Sequence, residues 1–274
     1  MIAIIPALLR SQSDVEALTR TLAAIPADIV NRCVIAGQGL PPVLASRPSR
    51  EYVVLQREAP STKWGAITRV LQEVGTGGER VLLIDADDPF EATSLRDFCL
   101  HGAASKLDCV IGRRNHIALT AQDQRSTHSR SFIEIFSNTL LLIRLGLLAG
   151  TRTGPDIQSG LYVLSSEALC SANFDHLGPY GGELTLYHHV IVSGGDVEEK
   201  SVRANPAQKS SYLAREIIRQ TLELPFLAVP SEQEIDLALR EGPRVYAELM
   251  PGSDELYRHE MRDLLETSAT PRTT

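Results

Sequence analysis

The sequence predicts an α/β protein built on a mostly parallel sheet covered by helices on both faces. Two observations predict it. Short apolar runs, each long enough for one strand, recur through the first half of the chain at Ile2–Ile5, Cys33–Ala36, Tyr52–Leu55, Val81–Ile84 and Leu107–Ile111. Segments with apolar residues at helical spacing lie between several of them, and strands separated by helices pair in parallel and are buried on both faces. In such sheets ligands bind beyond the carboxyl ends of the strands. With 274 residues the chain has length for one large domain, or one domain with an appendage.

In chain order, the first run is stopped by Pro6, and Ser13 or Asp14 caps a helix carrying Val15, Leu18 and Leu22. The second opens into the loop GQGLPP. After the third, Ala66–Val74 reads as a helix ended by the glycines of GTGG, and a helix from about Thr93 to His101 joins the fourth and fifth. Beyond residue 150 the pattern is mixed: LYVLSSEAL, a Gly-rich loop at GPYGGE, and a strand near Val197–Val202. From about Leu213 the chain reads as charged helix, with TSATPRTT as a disordered end.

Composition excludes some functions. A net charge of −7 argues against broad nucleic-acid binding, which needs Lys and Arg gathered on one face. The four cysteines are widely spaced with no CxxC pair, so they read as reduced thiols of a cytoplasmic protein rather than a disulfide set or zinc site. The start MIAIIPALLRSQSD turns polar too soon for a signal peptide. No run reaches the roughly 18 apolar residues of a membrane span. The nearest, residues 132–150, is interrupted by Glu134, Asn138 and Arg144 and reads as a partly buried amphipathic helix, with peripheral membrane contact as the sharper alternative.

The stretch VLLIDADDPF is the most informative. Three carboxylates, Asp85, Asp87 and Asp88, follow a clean apolar strand, and like charges so close raise one another's pKa. A divalent cation removes that repulsion, and an all-oxygen set suits Mg²⁺ or Mn²⁺. The plainer alternative is an N-cap cluster for the helix that follows.

These residues resemble the D-x-D segment of GT-A fold glycosyltransferases, especially family 2. TGPDIQSGLYVLSSEAL, residues 153–169, is similar to the D-x-Q-x-G segment of polyprenyl-phosphate sugar transferases such as dolichyl-phosphate mannose synthase. Asp156, Gln158 and Gly160 fall on its positions. Lys63, Gly65 and Ala66 match a helix start that approaches the donor, and Gly112 and Arg114 match a Gly-x-Arg after the fifth strand. Glu183 matches an acidic position before a helix, and Lys209, Ser210 and Tyr212 the end of the transferase domain. The resemblance implies a GT-A (Rossmann-like) domain over residues 1–215 and a helical C-terminal extension over 216–274. It further implies a nucleotide-sugar donor and Mg²⁺ or Mn²⁺ on Asp85 and Asp87, with Pro6, Lys63, Asp85, Asp87, Arg114, Gln158 and Gly160 at the donor. Glu183 is the first candidate for catalytic base and Asp156 the second, and inversion at the anomeric carbon is expected.

The sequence also departs from that pattern. Pro6 is kept, but Leu9 and Arg10 replace the usual Asn-Glu, and Ala36, Gly37, Gln38 and Gly39 stand where Asp-Asp-Gly-Ser recognises the base. No nucleotide is therefore selected. The acceptor is left as a polyprenyl phosphate or a small molecule, because YGGE also resembles a loop of the soluble synthases that glycosylate phosphoglycerate. The helical tail either closes over the acceptor or makes a homodimer contact. Competing classes are a nucleotidyltransferase, which lacks its glycine-rich loop in PALLRSQSD, and a non-catalytic nucleotide-binding relative.

Overall fold

The computed structural model describes residues 1–40, 51–56, 62–87, 90–115, 124–174, 180–205 and 214–269. Asp88, Lys209, Ser210 and Tyr212 lie outside them. The elements in chain order are β1 (Ile2–Leu8), α1 (Gln12–Ala24), β2 (Arg32–Gln38), β3 (Glu51–Gln56), α2 (Lys63–Glu73), β4 (Val81–Ile84), α3 (Ala92–Ala104), β5 (Cys109–Arg114), α4 (Gln124–Arg144), β6 (Leu161–Leu164), α5 (Ser166–Ser171), α6 (Gly182–Val192), β7 (Val197–Val202), α7 (Ala214–Leu222), α8 (Glu232–Val245) and α9 (Asp254–Ala269).

The described residues form two compact units, Met1–Arg114 with Ser159–Asn205, and Asn115–Gln158 with Pro206–Thr274. The expected limit at residue 215 concerned a family domain; by packing, the segment holding α4 groups with the C-terminal helices.

The first unit is a seven-stranded sheet in the order β3-β2-β1-β4-β6-β5-β7. Its pairs are parallel except those of β6, which runs antiparallel to both β4 and β5. Successive strands step one way from β1 to β3 and the other way from β4, so the switch point lies between β1 and β4. The core holds Ile5, Leu18, Ile35, Leu82, Phe98 and Val163. Two details correct the sequence reading. β1 continues through Pro6, which is buried and pairs with Ala36, to Leu8. α1 is capped by Ser11, not Ser13 or Asp14: Ser11 Oγ accepts from the Asp14 N–H at 3.3 Å, and the Asp14 carboxylate accepts from the Ser11 N–H at 2.9 Å, a capping box.

In the second unit, Ser131–Leu142 of α4 is buried throughout, not amphipathic as expected. Three of its polar residues are satisfied within the helix. Ser137 Oγ donates to the Ile133 carbonyl (2.6 Å), Thr139 Oγ1 to that of Ile135 (2.7 Å), and Glu134 pairs with Arg130 at 2.9 Å. Phe132 meets Tyr257 of α9 edge to face, ring centroids 5.5 Å apart. Among the described residues no helix is long and apolar enough to cross a membrane.

Candidate active site

The antiparallel course of β6 decides where the two diagnostic segments meet. Because Ile84 pairs with Leu161, the start of β6 lies beside the end of β4, and the Asp85 N–H donates to the Gly160 carbonyl at 3.2 Å. Gly160 has φ +73, and a Cβ there would run into Asp85 Oδ2. Glycine is therefore required twice over, by the left-handed backbone and by the carboxylate against it.

Two helices bring charge to this strand end. Thr62 caps α2 by accepting from the Gly65 N–H (3.0 Å), making Lys63 the first helical residue. Its ammonium lies 2.5 Å from Asp85 Oδ1 and 2.5 Å from Glu183 Oε1. Glu183 sits inside the first turn of α6 rather than before the helix, behind Gly181, which takes φ +93. Trp64, the sole tryptophan, is fully buried and stacks on Phe174 with centroids 4.8 Å apart. A Cβ on Gly182 would collide with its indole, so glycine there lets α6 approach closely enough for Glu183 to reach Lys63. Trp64 and Gly182 were not singled out in the sequence; the signal for them was a lone tryptophan beside Lys63 and a paired glycine before Glu183.

Burial alone would push the Lys63 pKa down. Asp85 and then Glu183 overcome that and hold it above the ordinary lysine value. A lysine at a helix N-terminus also opposes the helix dipole, so the two carboxylates are what keep it there.

The N-cap alternative for the aspartates is not what α3 uses: its N-cap is Glu91, with no side-chain cap bond. Asp87 is exposed just beyond Asp85. Pro6 is buried two residues inside the end of β1. Arg114 is half-buried at the carboxyl end of β5, two strand positions from β4. Gly112, on the same strand, leaves room for Leu161.

Asp156 and Gln158 belong to the second unit. Asp156 is buried. Gln158 Nε2 donates to the Glu134 carbonyl (3.3 Å) and to Asn138 Oδ1 (3.0 Å), tying this loop to α4. His189 Nε2 meets Ser171 Oγ at 2.8 Å, while burial lowers the His188 pKa.

The missing base-recognition carboxylates have a structural counterpart. A Cβ on Gly37 would strike the Ala7 carbonyl, so no aspartate fits that position on this backbone. Gln38 ends β2, and its carbonyl accepts from the Leu9 N–H at 3.0 Å.

No protein-family model matches the chain, and no curated protein does. Solved structures do. Glucosyl-3-phosphoglycerate synthase of Mycobacterium tuberculosis superposes with a TM-score of 0.58 at 19% identity, over 85% of this chain and 82% of that one. The fold is that of the GT-A glycosyltransferases. The same synthase in complex with Mn²⁺, UDP-glucose and phosphoglyceric acid gives a TM-score of 0.57 at 16% identity, covering 84% and 80% of the two chains. With Mg²⁺ and UDP it gives 0.54 at 17%, covering 85% and 81%.

Proposed function

We propose that the chain is a metal-dependent glycosyltransferase, moving a sugar from a nucleoside-diphosphate sugar to an acceptor. One observation carries the reading: Lys63, Asp85 and Glu183 converge beside Gly160 at the carboxyl end of β4, next to the switch point of a GT-A sheet. Such a switch point is where doubly wound sheets bind nucleotides.

The donor set fits a divalent cation. Mg²⁺ typically takes one or two protein carboxylates and completes its shell with substrate phosphates and water. Asp85 and Asp87 supply two carboxylates, and the described residues contain no three-residue metal cluster that would point to an all-protein cage. Bound there, the cation stabilises the charge that grows on the departing diphosphate.

The chain's own groups divide the remaining work. Lys63 and the first N–H groups of α2 present positive charge to a diphosphate, with Arg114 as the next candidate. Pro6 and Gly160 act by placing backbone. Glu183 is the first candidate to take the proton of an acceptor hydroxyl. The acceptor oxygen bonds to the anomeric carbon as the sugar–phosphate bond breaks, leaving its electron pair on the diphosphate, with inversion in the manner of family 2. Asp156 is the second candidate. Of the two acceptor types, a small phosphorylated hydroxyl compound is favoured over polyprenyl phosphate, because the neighbouring synthase binds phosphoglyceric acid.

Calorimetry of UDP, GDP, dTDP and CDP, each with and without Mn²⁺, tests the proposal on wild type and Asp87→Ala. Cation-dependent binding of one nucleotide, lost in the variant, is expected. Folded protein that binds no diphosphate under any condition would overturn it.

A further inference from the structure

The crowded carboxylates of β4 already have a positive partner. Lys63 Nζ touches Asp85 Oδ1 and Glu183 Oε1, each at 2.5 Å, in a cluster where the three side chains are 20%, 32% and 14% exposed. The other oxygen of Asp85 lies against Gly160. A divalent cation arriving at Asp85 therefore meets an ammonium in place, and two positive charges cannot share one oxygen at contact distance without strong repulsion.

We propose that Lys63 is a built-in counter-cation that competes with the divalent cation for Asp85 and makes the binding of cation and diphosphate cooperative. This rests on reading the site as one for a cation and a nucleoside diphosphate. Without a diphosphate, Lys63 satisfies Asp85 and Glu183, and the divalent cation binds weakly. A diphosphate brings negative charge that Lys63 can turn to, releasing Asp85 while Glu183 keeps hold of the same ammonium. Glu183 is thereby the tether that stops Lys63 from swinging away, a positioning role beside its candidacy as base. The device keeps the site closed to a stray cation and opens it to cation and diphosphate together. Its energetics are those of any linkage: the diphosphate raises cation affinity by the factor by which the cation raises diphosphate affinity.

The test is Mn²⁺ titration of the full chain followed by electron paramagnetic resonance, with and without UDP, on wild type, Lys63→Gln, Lys63→Met and Lys63→Arg. Trp64 emission and circular dichroism establish folding. A unit positive charge in contact with Asp85 repels an arriving cation, so removing the ammonium should tighten Mn²⁺ binding without UDP by at least about tenfold in the Gln and Met variants. Lys63→Arg should stay near wild type, and the enhancement by UDP should shrink in the neutral variants. Folded neutral variants that bind Mn²⁺ no tighter than wild type overturn the proposal. A wild type that binds UDP yet binds Mn²⁺ no tighter with it overturns the cooperativity; one that binds no UDP sinks the glycosyltransferase reading, and the titration without nucleotide still judges the competition at Asp85. Should both neutral variants unfold, Glu183→Gln and the double variant Lys63→Gln with Glu183→Gln decide: the double variant should bind Mn²⁺ without UDP tighter than Glu183→Gln does, and equal or weaker binding refutes the idea.

Discussion

Replacing Gly160 by alanine adds one carbon atom where two demands coincide: the backbone is left-handed, at φ +73, and the new Cβ points at Asp85 Oδ2. Gly75, just past the end of α2 in the same unit, separates them, for it has φ +67 and a Cβ added there would meet nothing within 4 Å. Gly75→Ala therefore reports left-handed strain alone, about 1–2 kcal/mol. Gly160→Ala carries the same strain plus the displacement of a carboxylate held by Lys63, an overpacking term of about 1–3 kcal/mol. The difference between the variants should thus be about 1–3 kcal/mol. Urea unfolding followed by Trp64 emission reads it, since that buried indole belongs to the unit holding both glycines. With a slope of about 3 kcal/mol/M, the Gly160→Ala midpoint should fall about 0.3–1 M below that of Gly75→Ala. Equal midpoints would mean that Asp85 yields freely, and that Gly160 serves the turn and not the carboxylate.

Other consequences are as open to measurement. Asp87→Ala, at an exposed position, should change stability by less than about 0.5 kcal/mol by denaturant titration yet abolish cation-dependent diphosphate binding. Trp64→Ala should cost about 3–5 kcal/mol, whereas Trp64→Phe should cost far less, because Trp64 Nε1 has no hydrogen-bond partner among the described residues; thermal melts by circular dichroism compare the two. Glu234 has its pKa lowered first by the Ser231 backbone N–H it accepts from, then by the Ser231 hydroxyl and Arg144. Its contribution is present above the ordinary glutamate pKa and lost as pH falls through the lowered one, so Glu234→Gln should flatten the acid limb of the stability–pH curve.

What the sequence made legible followed from local pattern. Val81–Ile84 has the same bounds in sequence and structure, because a buried strand needs little more than an apolar run between turns. Strand direction carries no such mark, and the antiparallel course of β6 is what joins Gly160 to Asp85. The helix α4 misled for a different reason. Ser137 and Thr139 look like a solvent face, but each returns its hydroxyl to the carbonyl one turn back and is buried without a distant partner. The family resemblance put Lys63, Asp85, Gly160 and Glu183 among the candidate site residues, but neither pattern nor resemblance said that Lys63 and Glu183, 120 residues apart, form an ion pair.

That pair changes the meaning of the motif that first drew notice. Crowded carboxylates at a strand end call for a positive charge, which a divalent cation can supply. The fold supplies one of its own first, from a residue whose place at the start of α2 is electrostatically unfavourable without them. Lys63 is thus held by Asp85 and Glu183 as much as it neutralises them. It is an exchangeable cation, in a triad that well-packed hydrophobic residues replacing all three side chains would often match in stability. Stability is then a weak reason for the triad. Exchange of partners is a use to which an ammonium on a flexible stem is suited, and an apolar side chain is not.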